Sequence, residues 1–231
     1  MSQLLIKEIK SIADPKRAEA CARYFKTGPG EYGEGDIFVG LTSAQVGQMA
    51  KKYTELSSSE VEKLLQNKIH ECRSIALVIL VNRFKKADGQ EQKKIVDLYL
   101  RNTKFINNWD LVDISAPKIL GLYYLDKDRK TLYRLARSND LWEKRIGMMS
   151  TFAFIRNDDF TDAFKIAQIL LDDQHDLIHK AVGWMLREIG KRDQEAEEKF
   201  LKKYYQTMPR TMLRYAIERF DSKKRDFYLK R

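Results

Sequence analysis

Residues 142–158 read WEKRIGMMSTFAFIRND, a segment that opens on an aromatic and charged turn, continues as an amphipathic helix of about four turns and ends in charged residues. Four other stretches share this organisation: 73–86, 109–126, 179–193 and, in shorter form, 210–220. Corresponding positions lie 30 to 36 residues apart. Self-similarity at this period is typical of solenoids built from paired helices.

The partner helix of each pair is predicted from the apolar spacing before each copy. These helices fall at 60–70, 90–102, 128–138, 160–171 and 194–205. Apolar residues such as Ile95 and Leu98 recur at helical spacing, and Ser57 with Glu60 three residues later fits a capping box. We therefore predict an all-α fold, a right-handed α-solenoid of HEAT-like helix pairs over residues 57–220.

The N-terminal part departs from the repeat. Three helices are predicted there, near 4–12, 15–25 and 44–53. The loop at 27–40 reads TGPGEYGEGDIFVG, and its five glycines and one proline disfavour a helix. We interpret residues 1–56 as a helical cap on the repeats, residues 221–231 as a C-terminal tail and residues 1–231 as a single domain.

The composition indicates a basic protein with a polyanionic partner. The 231 residues carry a formal net charge of +10, from 43 Lys and Arg against 33 Asp and Glu, and the sequence pI is about 9.4. Basic residues recur along the whole chain, so nucleic acid or an anionic membrane surface is the expected partner. No basic amphipathic anchor stands out, which favours nucleic acid. The 4 prolines and 11 glycines are too few for an all-β fold full of turns.

The cysteines and the short apolar runs indicate the cellular compartment in which the protein works. Cys21 and Cys72 lie in apolar helical surroundings and are expected to be free thiols in a reducing compartment. The N-terminus lacks the apolar core of a signal peptide, and the longest apolar run, 75–81, is too short to cross a bilayer. We expect a cytoplasmic, nucleoid-associated protein with no membrane partner.

Asp113 stands out among the acidic residues of the repeats because it lies past the first turn of a predicted helix, between two apolar residues. Residues 107–113 read NNWDLVD, and either Asn is a good N-cap for a helix that begins at Trp109. Asp110 then lies in the first turn, where the helix dipole favours a carboxylate, so a structural role is preferred for it. Asp113 lies beyond that turn, on the same face as Trp109. A buried, hydrogen-bonded Asp113 and a catalytic Asp113 are equally good interpretations at this point.

Two further segments place cationic side chains near predicted helix starts, Lys144 with Arg145 and Lys180, and Arg187 follows two turns after Lys180. Helix N-termini already favour anions, so these residues are candidate contacts to DNA phosphates. A solvated charge or an ion pair within the array is the alternative for each of them. Trp142 is interpreted as a core residue.

No metal or cofactor site is predicted. His175 and His179 have the spacing of a two-histidine zinc helix, but the acid between them is Asp where the pattern has Glu, and no third ligand presents itself. The glycine-rich loop lacks the Gly-Lys-Ser/Thr of a P-loop. No Ser/His/Asp or Cys/His arrangement is apparent.

Several motifs resemble those of one protein family. They are NWDLVD at 108–113, SAP at 115–117, GWMLRE at 183–188, ARYFK at 22–26 and GEGD at 33–36. In order and spacing, over nearly the whole chain, they resemble the AlkD-like DNA alkylation repair proteins. The chain departs from that family after Gly40, where it reads LTSAQ in place of a Val-Pro stretch and an Arg.

The resemblance implies a solenoid whose concave, basic face binds duplex DNA, and a DNA glycosylase that excises N3- and N7-alkylated purines. By motif, Asp113 would be the catalytic carboxylate. Trp109 and Trp184 would contact the deoxyribose of the lesion with Tyr24 nearby, and Arg145 would hold a DNA phosphate. The implied partner is double-stranded DNA containing alkylated bases, bound by a monomer without metal or cofactor.

A lone carboxylate suits this reaction. Most glycoside hydrolases use two carboxylates, one of which protonates the leaving group. An N3- or N7-alkylated purine is already cationic and leaves as a neutral base, so the enzyme needs a carboxylate that stabilises an oxocarbenium-like sugar and orients water. The alternatives are a non-catalytic DNA-binding repeat protein that recognises damaged or branched DNA, and a protein-binding solenoid, the default for HEAT arrays.

Overall fold

The computed structural model describes residues 1–230, which form helices joined by turns and loops. This range contains no β-strand, and an isolated bridge pairs Ile37 with Ile69. The all-α prediction is therefore confirmed, while the solenoid form and its basic concave face remain predictions. The described residues include no helix that is long and apolar enough to cross a membrane. The chain divides into two compact units, Met1–Ser115 and the part from Ala116 onwards.

The first unit is built from helices packed around one central helix, and it includes the glycine-rich loop. Its α-helices are α1 (Ser2–Ser11), α2 (Pro15–Tyr24), α3 (Ser43–Lys52), α4 (Ser58–Leu65), α5 (His70–Phe84), α6 (Gly89–Arg101) and α7 (Trp109–Ser115), and a 3₁₀ turn occupies Thr103–Phe105. The predicted capping box of α4 is present, because the Ser57 and Glu60 side chains each accept the other residue's backbone N–H. Four helices, α3, α4, α6 and α7, pack against α5.

The glycine-rich loop is fixed to the buried start of α5 by one carboxylate. Glu71 is 4% exposed, and its carboxylate accepts the backbone N–H groups of Val39, Gly40 and Leu41 at 2.8 to 3.2 Å. Gly40 has φ +87°, and a Cβ there would clash with the carbonyl oxygen of Asp14. Glycine is therefore required where the loop passes the start of α2.

The predicted helix at 60–70 is too long by five residues. The helix α4 ends at Leu65, and the Asn67 side chain accepts the Ile69 N–H at 2.9 Å to form a tight turn. Ile69 falls within the predicted range, but it precedes α5 and forms a backbone bridge with Ile37. The helix does not continue because the backbone pairs with the loop: the Ile37 N–H donates to the Lys68 carbonyl at 3.2 Å, and the His70 N–H donates to the Ile37 carbonyl at 2.8 Å.

The predicted helix at 109–126 changes geometry at Pro117. The α-helical part, α7, ends at Ser115, and a π-helical turn follows at Pro117–Gly121. Proline has no backbone N–H and cannot donate to the carbonyl four residues earlier. The Gly121 N–H instead reaches the Ala116 carbonyl at 2.9 Å, five residues back. This wider turn places the break in the helix directly after Asp113 and Ser115.

The second unit packs around one long helix. It contains α8 (Lys130–Ala136), α9 (Leu141–Ser150), α10 (Phe152–Ile155), α11 (Thr161–Ile169), α12 (Asp176–Gly190), α13 (Gln194–Tyr204), α14 (Arg210–Ala216) and α15 (Ser222–Leu229), with a 3₁₀ turn at Ile217–Arg219. Helices α9, α10, α11, α13 and α14 contact α12. The segment predicted as a C-terminal tail forms α15, in which Tyr228 is 2% exposed.

Close approach of α12 and α14 depends on Gly183. A Cβ at this position would clash with the Met212 carbonyl oxygen and would lie 2.5 Å from the Cβ of Tyr215. Gly47 in α3 provides the opposite case, since it is exposed and no atom lies within 4 Å of an added Cβ.

We expect Gly183→Ala to destabilise the protein by about 1–3 kcal/mol, because the clash outweighs the better helix propensity of alanine. The matched control Gly47→Ala is expected to stabilise by about 0.5–1 kcal/mol. Urea unfolding of both variants measures the free energy of unfolding. Stabilisation by both substitutions would contradict the close packing of α12 on α14.

A buried carboxyl group lies between α12 and α13. Glu197 is 1% exposed, and its Oε1 atom has no hydrogen-bond partner within residues 1–230. The side chain packs against Gly190, where an added Cβ would overlap its carboxyl group. Burial, assisted by the neighbouring charge of Glu198, raises the pKa of Glu197 to about 9. The carboxyl is therefore protonated in the folded protein at neutral pH.

Because the pKa of Glu197 is raised, the free energy of unfolding is expected to fall as pH rises. Between the ordinary pKa of glutamate and about 9, the folded state holds a proton that the unfolded state has lost. The free energy of unfolding then falls as pH rises, by up to about 1.4 kcal/mol per pH unit. We expect Glu197→Gln to make the fall between about pH 5 and 9 shallower by up to about 1.4 kcal/mol per pH unit, as followed by urea unfolding. Glu195→Gln, an exposed change on the same helix, is expected to keep the wild-type slope.

Candidate active site

The start of α7 is held in place by two asparagines and the glycine-rich loop. Asn108 is fully buried, and its Oδ1 accepts the Trp109 N–H at 2.9 Å. The amide groups of Asn107 and Asn108 donate to the two oxygens of Asp36 at 3.3 and 3.5 Å. The position of the Trp109 backbone is therefore set by a loop more than 70 residues earlier in the chain.

A buried charge network joins the same loop to α5 and α7. His70, 3% exposed, lies between two carboxylates: its Nδ1 is 3.1 Å from Asp36 Oδ2 and its Nε2 is 2.8 Å from Asp110 Oδ2. Arg73 pairs with Asp36 Oδ1 at 2.6 Å and donates to the carbonyl oxygens of Asn67 and Lys68. We call Asp36, His70, Arg73 and Asp110 the His70 network.

The opposite charges of the network stabilise one another, and the pKa values of His70 and Asp36 show the effect. Burial alone would lower the pKa of His70, but hydrogen bonds to Asp110 and Asp36 outweigh it and raise the pKa. Burial would likewise raise the pKa of Asp36, but its contacts with His70 and Arg73 hold it below its ordinary value. Both shifts favour an imidazolium between carboxylates. Asp110, predicted to serve the helix dipole, thus has a defined partner in His70.

Aromatic rings continue from the network to Trp109. Phe38 stacks on His70 with centroids 4.4 Å apart, Phe25 stacks on Phe38 at 5.1 Å, and Trp109 stacks on Phe25 at 5.2 Å. Tyr24, which is 66% exposed, meets Trp109 edge to face at 5.9 Å. The structure therefore brings two predicted site residues, Tyr24 and Trp109, into contact.

Asp113 lies one turn after Trp109 on the same side of α7 and is half-buried. In the same part of the unit, the buried Tyr99 hydroxyl contacts the Ser115 hydroxyl at 3.0 Å. Burial raises the pKa of Tyr99, and the charge of Asp113 raises it further. Trp109 and Asp113 thus stand side by side, with one half-buried aromatic ring and one half-buried carboxyl group.

The predicted residues of the second unit are engaged with other protein groups. Trp184 is half-buried and donates from Nε1 to Glu188 at 3.0 Å. Arg145 is 4% exposed and donates to the Leu177 carbonyl at 2.7 Å, so little of its surface is open to a phosphate. The core role predicted for Trp142 is confirmed, since this ring is 6% exposed.

The remaining predicted DNA contacts are all in ion pairs. Lys144 pairs with Asp173, Lys180 pairs with Asp176 at 2.7 Å, and Arg187 pairs with Glu218. This is the structural alternative that the sequence left open for each of them. Their contact with DNA stays a prediction.

A family model described as DNA alkylation repair enzyme matches residues 5–220. The chain belongs to this family. No curated protein matches it. Two solved structures share the fold: a predicted DNA alkylation repair enzyme from Enterococcus faecalis and AlkD2 from Streptococcus mutans.

The structural similarity spans most of each chain. The Enterococcus protein is 14% identical, with a TM-score of 0.70 over 91% of this chain and 97% of its own. AlkD2 is 16% identical, with a TM-score of 0.57 over 79% of this chain and 92% of its own. The TM-scores show a shared helical fold, and at such low identities they show the fold alone.

Sequence reasoning missed most of the site around α7 in this DNA alkylation repair family member. His70 and Arg73 are three residues apart in one helix, a spacing that signals a shared face. Phe25 and Asp36 belong to motifs used for the family resemblance, although no role was assigned to them. Within residues 1–230, no group of three or more His, Cys, Asp and Glu side chains could hold a metal ion.

The His70 network predicts a pH-dependent stability. Because the folded pKa of His70 is raised, its contribution is fully present below the unfolded value near 6.5 and is lost as pH rises through the folded value. We expect His70→Gln to cost about 3–5 kcal/mol near pH 6, since it leaves Asp110 without its cationic partner and leaves the buried Asp36 with Arg73 alone. The loss measured by urea unfolding should be smaller near pH 9, and equal losses at both pH values would contradict the network.

Proposed function

We propose that this protein is a DNA glycosylase that hydrolyses the N-glycosidic bond of N3- and N7-alkylated purines in duplex DNA. Its membership of the DNA alkylation repair enzyme family supports a role in repair. The observation that carries the finer proposal is the placement of Trp109 and Asp113 side by side on α7, both half-buried. The net charge of +10 suits a polyanionic substrate.

The carboxylate of Asp113 would act on the sugar. When the glycosidic bond of a cationic alkylpurine lengthens, positive charge moves from the base to the deoxyribose, and the base leaves neutral without a general acid. Two opposite charges about 4 Å apart attract by roughly 4 kcal/mol at an effective dielectric near 20. If about three-quarters or more of this attraction arises only in the transition state, the gain in rate is on the order of 10²–10³.

Trp109 would add an aromatic face to the same site. Its ring is held by Phe25 on one side and by the edge of Tyr24, so little conformational freedom is lost when a sugar or base approaches. An aromatic face attracts a cation by about 0.5–2 kcal/mol. We propose Trp184 as a second aromatic contact to the lesion.

Tyr24 is proposed to contact DNA near the lesion, and phosphate contacts are proposed for Lys144, Lys180 and Arg187, with Arg145 as the least exposed candidate. The three partly exposed cations would have to exchange a carboxylate partner for a phosphate. Each exchange trades one charge pair for another, so single substitutions should weaken DNA binding modestly and reduce its salt dependence.

The test is release of free base from duplex DNA containing 7-methylguanine, measured in a single turnover. We expect Asp113→Asn to slow release on the order of 10²–10³-fold while DNA retention in a gel-shift assay stays unchanged. Asp97→Asn is the matched control, because Asp97 is an exposed carboxylate on α6 paired with Lys93. It should release base at the wild-type rate.

Two outcomes would contradict the proposal. Full activity of Asp113→Asn, with unchanged unfolding, would remove the catalytic role of this carboxylate. No release by the wild-type protein, together with DNA binding that weakens steeply with salt, would favour the non-catalytic DNA-binding protein instead.

A further inference from the structure

The positive charge of the chain is concentrated near its C-terminal end. Residues 199–230 contain ten Lys and Arg against three Asp and Glu, so this segment carries seven of the ten net positive charges. It includes the end of α13, α14 and α15, and α15 lies beyond residue 220, where the family match ends. The part of the sequence that most strongly attracts a polyanion therefore belongs to the second unit, whereas Trp109 and Asp113 belong to the first.

Three lysines of this segment can accept an anion directly. Lys202 on α13, Lys223 in the first turn of α15 and Lys230 directly after α15 are exposed, and within residues 1–230 none of them forms an ion pair. Lys224, by contrast, pairs with Glu198 and joins α15 to α13. The three exposed lysines would therefore bind a phosphate without giving up a carboxylate, unlike the paired cations proposed above to contact phosphates.

An exposed aromatic ring lies between two of these lysines. Phe227 is 58% exposed, although burial of a phenylalanine side chain stabilises a fold. Its neighbour Tyr228, 2% exposed, fills the core position of α15 instead. Lys223, Phe227 and Lys230 are spaced by four and then three residues, so their side chains lie on one side of the helix. The helix thus presents to solvent a flat ring with a cation before it and another after it.

A second ring extends this surface onto α13. Tyr205, half-buried at the end of α13, has its ring centroid 5.9 Å from that of Phe227 and meets Tyr228 edge to face at 5.3 Å. Lys202 precedes Tyr205 by one turn. We call the following residues the C-terminal patch: Lys202, Tyr205, Lys223, Phe227 and Lys230.

Lysines interleaved with aromatic rings select the class of polyanion. In a single strand of nucleic acid, phosphates can contact the lysines while unpaired bases stack on the rings. In a duplex the faces of the bases are already stacked, so only the phosphates would be bound and Phe227 would gain no contact. An anionic membrane would need a larger apolar face, because α15 has eight residues and exposes a single large apolar side chain.

We propose that the C-terminal patch binds single-stranded DNA, with its lysines on phosphates and Phe227 stacked on a base. Membership of the DNA alkylation repair enzyme family makes DNA the expected nucleic acid. The patch does not rest on the glycosylase activity proposed above, because none of its residues takes part in excision. Binding at the patch and release of alkylated bases can therefore fail independently of each other.

The first experiment measures binding of the full chain to a labelled oligothymidylate of about twelve nucleotides by fluorescence anisotropy. Phe227→Ala is expected to raise the Kd at least fivefold, because the stacking of one base is lost. Phe227→Trp keeps a flat ring and should bind within threefold of wild type. Leu4→Ala is the matched control, since Leu4 is a 60% exposed apolar residue of the first unit, and it should leave the Kd unchanged. Undiminished binding by Phe227→Ala would overturn the inference.

The dependence of the Kd on salt tests the lysines. Changing the three lysines of the C-terminal patch to Gln should weaken binding and reduce the slope of log K against log salt by about 2, because each phosphate contact to a single strand contributes about 0.7. Phe227→Ala should leave this slope unchanged. The matched control changes Lys7, Lys51 and Lys63 to Gln, which are exposed helical lysines of the first unit. Equal slopes for the patch variant and this control would overturn the inference.

Two further ligands separate the alternative partners. A duplex of the same length should bind wild type and Phe227→Ala equally, because it offers no unpaired base. Vesicles of phosphatidylcholine and phosphatidylserine should sediment wild type and Phe227→Ala to the same extent. An equal loss of affinity for duplex and single strand, or a loss confined to vesicles, would overturn the inference. Thermal unfolding shows that each variant is folded.

Discussion

The first unit depends on the pairing of His70 with two carboxylates from other segments of the chain. Asp36 comes from the glycine-rich loop, His70 and Arg73 from α5, and Asp110 from the first turn of α7. Buried charges are tolerated only when each is paired and hydrogen-bonded, so removing one member leaves the others unsatisfied. The loop, the central helix and α7 are therefore held together by groups that depend on one another.

This network explains why a short helix can present a precise site. The helix α7 has only seven residues and is interrupted after Ser115, so it has little stability of its own. Its N-terminus is fixed by Asn108 and by Asp110, and the Trp109 ring is fixed by Phe25. The orientation of Asp113 follows from these constraints, because the residue lies one turn later on the same rigid segment.

Particular residues show how far the sequence could predict the structure. Three features follow from spacing along a helix, because helix geometry fixes which neighbouring residues share a face. They are the capping of α4 by Ser57 and Glu60, the core position of Trp142, and the shared face of Trp109 and Asp113. The extension of α4 to residue 70 was wrong, because the backbone of residues 68–70 pairs with Ile37 of the loop in place of continuing the helix. The π-helical turn that begins at Pro117 was also missed, although a proline, which has no backbone N–H, indicates a change in the helical hydrogen-bond pattern.

The sequence by itself determined that the chain is helical and basic, and it singled out Trp109 and Asp113, because helix periodicity and charge are properties of neighbouring residues. Only the tertiary structure decided that His70 lies between Asp36 and Asp110, which are 34 and 40 residues away. It also decided that Lys144, Lys180 and Arg187 have acidic partners, that Glu197 is buried and that Phe227 is exposed. Burial and pairing depend on which distant segments pack together, and no local spacing specifies that choice.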